Sequence, residues 1–326
     1  MILITGGAGY IGSHVAKLLG EKGYDTIIYD NLSRGHSDMI ISGEFIRGDL
    51  SDKDLLIKTF KNYDIEAVIH FAAYSLVGES EIDPHSYYRN NVANGINLLG
   101  AMLNAGVKKI VFSSSAAVYG EPIRVPIEEE HPTVPTNVYG NTKLIFENIL
   151  KKYYSTYGLN FVSLRYFNAA GADPEGIIGE DHSPETHLIP LILDTVLGRK
   201  NNITIFGTDY DTPDGTCIRD YIHVNDLAEA HILALRQLKD SSTEAIYNLG
   251  NGEGFSVKEV IEAVNRVTGA KMSVVEGDRR EGDPARLVAS SEKIIKELGW
   301  KPAFADLNVI IETAWKWHSK RFENKW

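Results

Sequence analysis

Three glycines, at positions 6, 9 and 12, stand between a short apolar run and an amphipathic stretch, and nothing else in the chain restricts the fold as much. Ile2-Leu-Ile-Thr5 reads as a buried strand, Gly6-Gly-Ala-Gly9-Tyr-Ile-Gly12 as a turn, and the residues through Leu19 as a helix. Strand, glycine turn and helix form the context that a dinucleotide-binding fingerprint requires. Glycines there let the backbone turn tightly, bring its N–H groups against a pyrophosphate and allow the helix to pack close to the strand. A glycine turn with no ligand is the plainer alternative. Against it, Asp25-Thr-Ile-Ile-Tyr-Asp30 supplies a second strand ending in an acid. Asp30 is placed to accept from both ribose hydroxyls and would repel a 2′-phosphate, which favours NAD; Arg34 nearby keeps NADP open.

The alternation continues. Glu44–Asp49 reads as a third strand, with Asp49 and Leu50 placed to border an adenine, and Glu66–Ala73 as a fourth, apolar enough to be buried on both faces. His70 within it reads as a core histidine rather than a catalyst. A helix to about Asn104 and the strand Lys108–Phe112 follow, the latter running into Ser113-Ser-Ser115. A further strand, Asn160–Asn168, closes this half. The expectation is an α/β fold: a doubly wound parallel, Rossmann-like sheet over residues 1–168, with ligands across the carboxyl ends of its strands. From residue 169 to 326 the clean alternation is lost, as in a smaller, interleaved α/β substrate-binding domain; within it a segment near 219–249, ending in Ala245–Leu249, is expected to return to the first sheet. Ser256-Val-Lys-Glu259 has the form of a capping box and carries no chemistry.

Tyr139 and Lys143 are four residues apart in a helical pattern, which stacks them on one face and brings an ammonium near a phenol. A neighbouring positive charge favours the phenolate, as a general base needs. Ser115, at a strand's carboxyl end, faces the same crevice or caps a turn. A net charge of −11 argues against broad binding to nucleic acid, and no apolar run reaches the ~18 residues that span a bilayer. With the single Cys217 read as a packing residue, the chain is expected to be cytoplasmic, with small, specific partners. Metal catalysis finds little support, since the ten histidines show no His-x-x-x-His spacing with a suitable acid, and Asp181-His182 reads as loop polarity.

In this order and context, Gly6-x-x-Gly9-x-x-Gly12, Asp30, Ser115 and Tyr139-x-x-x-Lys143 closely resemble the extended short-chain dehydrogenase/reductase superfamily. Phe71–Ser80, Ser113–Gly120 and Gly215–Asp226 are similar to its UDP-glucose 4-epimerase family, a likeness extending over essentially the whole chain. The resemblance implies NAD-dependent interconversion of UDP-galactose and UDP-glucose through a transient 4-keto sugar, usually in a homodimer joined by a four-helix bundle. It makes Tyr139 the base, with Lys143 lowering its pKa and holding the nicotinamide ribose, and Ser115 the hydrogen-bond partner of the sugar 4-oxygen. It places Gly6, Gly9, Tyr10, Ile11, Gly12, Asp30, Asn31, Asp49, Leu50, Phe71, Ala72, Ala73, Asn90, Ser113, Tyr139, Lys143 and Tyr166 at the cofactor. Asn168, Leu188, Ile205 and Phe206 are expected to line a uridine site, with Arg219 and Arg280 on the diphosphate and Asp283 on the ribose.

Three positions depart from the family pattern. Ser75 stands where many members have a lysine reaching the cofactor pyrophosphate, which implies weaker cofactor retention. His187 replaces an asparagine beside the substrate phosphates. Leu287 replaces a bulkier residue beside the sugar 2-substituent, so N-acetyl sugars are expected to enter. A 4,6-dehydratase would need an acid and a base where this chain has Ala116 and Ala117. An epimerase of another nucleotide sugar such as UDP-glucuronate, and a non-catalytic NAD sensor, are the remaining alternatives.

Overall fold

Seven strands run parallel in one sheet of the computed structural model, which describes residues 1–240, 242–280 and 282–322. They are β1 (Ile2–Thr5), β2 (Thr26–Asp30), β3 (Glu44–Arg47), β4 (Ala67–His70), β5 (Lys109–Ser115), β6 (Asn160–Tyr166) and β7 (Glu244–Leu249), in the spatial order β7-β6-β5-β4-β1-β2-β3. The chain moves outward from β1 through β2 to β3, then crosses back to lay β4 on the other side of β1. A crevice therefore opens above the carboxyl ends of β1 and β4, where ligands bind in folds of this kind.

Strand alternation explains why both faces are apolar. Ile2 and Ile4 point to one face, against Val15 and Leu19 of the helix Tyr10–Glu21 and Leu227 and Leu235 of the helix Val224–Asp240. Leu3 points to the other, into a cluster with Leu56, Leu98, Phe146 and Leu150 from three further helices. Strands β1, β2 and β4 are buried along their whole length, whereas β3, at the edge, is largely exposed. His70 is indeed a core residue, its Nδ1 2.7 Å from Thr5 Oγ1 on the neighbouring strand.

The second half has its own core, in which Ile192, Ile203, Val260, Val264, Ile310 and Ile311 meet. Ser256 and Glu259 form the expected reciprocal cap on the helix Val257–Thr268. The halves interleave. The return strand β7 pairs with β6 from Glu244↔Phe161 to Leu249↔Tyr166. Beyond the expected return, the helix Glu292–Leu298 also comes back: Ile294 and Trp300 join the cofactor-side core, and Trp300 Nε1 donates to the Asp226 carbonyl at 3.0 Å. Among the described residues, no helix is long and apolar enough to cross a membrane.

Candidate active site

The helix Val138–Tyr157 begins at Asn137, whose side chain accepts from the Gly140 N–H at 2.8 Å, so its first turn presents Tyr139 and Lys143 on one buried face. Gly140 permits the approach that matters. A Cβ there would lie 2.3 Å from the Ala117 carbonyl oxygen, so the helix start rests on the turn that follows β5. Ser115, the last residue of β5, caps the turn that follows, its Oγ accepting from the Ala117 N–H at 3.1 Å, and lies beside the Tyr139 phenol. Burial pushes the phenol's pKa up and the Ser115 hydroxyl beside it pulls it back.

The Lys143 Nζ donates to the Ser113 carbonyl at 2.7 Å and stands 5.7 Å from the centre of the Tyr139 ring. Burial lowers its pKa to about 7, against the opposing charge of Glu147 one turn along the helix. Glu147 was not legible as functional. It is fully buried, accepts from Ser114 Oγ at 2.6 Å and from Arg165 at 2.9 and 2.6 Å, and so fastens the helix Val138–Tyr157 to β5 and β6. Asn91 is a second such residue. Lying in a π-helical turn, it ties Tyr74 to Thr142, whose hydroxyl in turn donates to the Tyr139 carbonyl.

The glycine turn closes the other side. Gly6 has φ +73°, and a Cβ on Gly12 would lie 2.3 Å from the Gly6 carbonyl oxygen, so both positions need glycine for the helix to sit on the turn. Gly9 faces open space apart from Gly6 O at 3.3 Å. Asp30 is nearly buried; its two carboxylate oxygens accept from the Ala8 N–H at 3.0 Å and the Leu32 N–H at 2.8 Å, which leaves a lone pair on each for a ligand. Asn31 donates to Asp49 at 2.6 Å, and Ser113 Oγ lies 2.5 Å from the Tyr166 hydroxyl.

These groups line one continuous cavity of about 1920 Å³. Pockets for drug-sized ligands are about 300–1,000 Å³, so this cavity has room for more than one such ligand. All the cofactor positions named from the resemblance are on its wall, as are Ser115, Asn168, Leu188, Phe206, Arg219, Arg280, Asp283 and Leu287. Ile205 is not. The strand Ile203–Phe206 turns Ile205 into the core of the second half, and Thr204 and Phe206 face the cavity. Arg280 stacks on Phe206 with its guanidinium carbon 3.9 Å from the ring centre. Arg219 donates to the Pro284 carbonyl at 2.8 Å and lies 3.4 Å from Asp283, so the expected phosphate and ribose partners contact each other here. Leu287 sits beside Arg219 through the pairing of Arg286–Leu287 with Ile218–Arg219. Ala116 and Ala117 line the wall without a proton to transfer. Cys217 is buried.

Asp181 and His182 part company. Asp181 pairs with Arg321 at 2.8 Å, whereas His182 joins Glu180, Glu185 and His187 in a cluster on the cavity wall. Sequence reading passed over this group because its histidines are five apart rather than at the familiar helical spacing.

The model of the NAD dependent epimerase/dehydratase family matches residues 2–250. A UDP-glucose 4-epimerase of Halalkalibacterium halodurans is 54% identical over 98% of this chain and 96% of its own length. The chain belongs to the UDP-glucose 4-epimerase family. Among solved structures of the family, the Brucella ovis enzyme in complex with NAD superposes with a TM-score of 0.94 at 48% identity, covering 96% of this chain and 97% of that one. The Bifidobacterium longum enzyme in complex with NAD+ and UDP does so with a TM-score of 0.93 at 38% identity, covering 100% and 99%. Against this family background, Ser75 and His187 also stand on the cavity wall.

Proposed function

We propose that this chain interconverts UDP-galactose and UDP-glucose by epimerisation at C4, with NAD as its cofactor. The observation that carries the reading is that the buried Tyr139, and Ser115 at the carboxyl end of β5, line the same cavity as the glycine turn. The wall fits a dinucleotide: the turn is open to a ligand at Gly9, and Asp30 keeps acceptor capacity beside it. Residues 1–168 with the returning segment would hold the cofactor, and most of 169–326 the UDP-sugar. When bound, NAD takes a hydride from the sugar C4 and gives it back.

Everything else falls to the protein. Tyr139 accepts the proton of the 4-hydroxyl, and Ser115 hydrogen-bonds the same oxygen, stabilising the developing carbonyl. Lys143 fixes the Ser113 carbonyl and supplies positive charge to the floor of the site. Arg219 and Arg280 exchange their present partners for the diphosphate, to which planar guanidinium donors are suited. The 4-keto sugar turns about that anchored diphosphate and presents its other face, and Tyr139 returns the proton. Net oxidation does not occur, so turnover needs no added oxidant. Leu287 leaves space beside the sugar C2, which extends the reading to UDP-N-acetylglucosamine and UDP-N-acetylgalactosamine.

Incubating the protein with UDP-galactose and following the anomeric protons by NMR tests this reading: UDP-glucose should appear without any external electron acceptor. No conversion with NAD added would overturn it. We further infer a homodimer. The helices Asn94–Asn104 and Val138–Tyr157 leave Ile96 and Tyr157 exposed, as helices that pair with a second copy would. Sedimentation at micromolar concentration should give twice the chain mass, and a monomer there would contradict the pairing.

A further inference from the structure

We propose that Glu180, His182, Glu185 and His187 form a binding site for a divalent transition-metal ion of the zinc class. Two imidazoles and two carboxylates are an ordinary donor set for such an ion. All four donor atoms lie within 4.8 Å of one another. His187 Nδ1 is 2.8 Å from Glu180 Oε1 and 3.0 Å from Glu185 Oε1, and His182 Nδ1 is 3.2 and 3.6 Å from oxygens of the same two glutamates. Zinc bonds of about 2.0–2.1 Å at tetrahedral angles set donors about 3.4 Å apart. The observed separations bracket that value, so an ion enters by small side-chain shifts.

A second observation points the same way. The Nδ1 of His182 is shielded from solvent and aimed into the group, held by ion pairs with Glu180 and Glu185 without the geometry of a hydrogen bond. The support behind the donors is built. Glu185 Oε1 accepts from the Thr186 and His187 N–H groups at 2.7 and 2.8 Å, which fixes its direction, and Glu180 is buried. The Tyr10 ring, in the glycine turn, lies edge-on 6.3 Å from His182, and His187 immediately precedes the helix Leu188–Val196. An ion held here fastens the segment 180–187 between the turn and that helix. It also adds positive charge to the cavity wall.

Titrating chelator-stripped holoprotein with zinc chloride in a calorimeter tests the site. One equivalent should bind, and His182→Gln and Glu180→Gln should each weaken it by at least about 100-fold. Cobalt(II) as a spectroscopic stand-in should give the intense visible bands of a tetrahedral site in the native chain and lose them in both variants. Circular dichroism melts identify a variant that has unfolded; the native cobalt spectrum then carries the test alone. Native protein that binds no zinc, variants that bind it as tightly while folded, or cobalt that keeps the weak spectrum of the hydrated ion would each overturn the proposal.

Discussion

The two walls of the cavity present their polar groups in opposite states. On the cofactor wall, backbone N–H groups and a glycine turn stand ready: Gly9 is open, and Asp30 is held in place by two N–H donors. On the substrate wall, the arginines are already engaged, Arg219 with Asp283 and Arg280 over Phe206. Under the proposed function, the first wall is preorganised and the second exchanges partners on binding, so affinity for the cofactor would come from shape that cannot relax and specificity for the sugar nucleotide from side chains that can.

The largest break in this comparison is chemical. Tyr139→Phe removes the proton acceptor without touching either wall, so kcat should fall by about 10²–10⁴-fold while NAD affinity, read by fluorescence titration, stays within twofold. Parallel losses of both would mean that Tyr139 is structural.

Histidines offer a second contrast, which pH sharpens. Burial lowers His14 and His231 to about 4 and His70 and His223 to about 3, whereas the glutamates beside His182 raise it to about 9 despite burial. Between about pH 6.5 and 4 the unfolded chain binds protons at the first four that the folded chain refuses, so stability falls as pH falls. Burial raises Asp220 to about 6 and also raises Asp30, Glu129 and Asp226, which works in the opposite direction and offsets part of the loss. Each uncompensated proton is worth about 1.4 kcal/mol per pH unit. The urea midpoint should therefore drop from pH 7 to pH 5; a constant or rising midpoint would contradict the neutral, buried state of these histidines.

Glycines offer a direct test of rigidity. Gly12→Ala places a Cβ 2.3 Å from a backbone oxygen and should cost about 1–3 kcal/mol of stability together with cofactor binding. Gly282→Ala on the other wall meets nothing within 4 Å at φ +77° and should cost about 1 kcal/mol, leaving cofactor binding unchanged. Thermal melts and NAD titration of both variants distinguish the walls; equal losses would show that the cofactor turn is no stiffer. The smallest effect is one of selectivity. Leu287→Tyr should reduce turnover of UDP-N-acetylgalactosamine about tenfold relative to UDP-galactose, the scale of crowding in an apolar pocket. An unchanged ratio would remove Leu287 from the specificity wall.

The same asymmetry explains what could be read from sequence. The cofactor wall is local: residues 2–30 contain strand, turn, helix and terminal acid in one stretch, and periodicity exposes them. Tyr139 and Lys143 were legible for the same reason, being one helical turn apart. Ile205 was misplaced because strand parity decides which neighbour faces the cavity, and a four-residue strand gives little parity to read. Glu147 and Asn91 escaped because their partners, Arg165 and Ser114 for one and Tyr74 and Thr142 for the other, are brought together only by the packing of the helices on the sheet. The second return, through Ile294 and Trp300, has no signal in its own composition.

The most direct measurement uses UDP-galactose deuterated at C4. If Tyr139 moves only the hydroxyl proton and the C4 hydrogen never meets solvent, the UDP-glucose formed keeps its deuterium at C4, in water and without added oxidant. Label lost to solvent would mean that a base on the protein attacks C4 itself, and the assignment of this site would then be wrong.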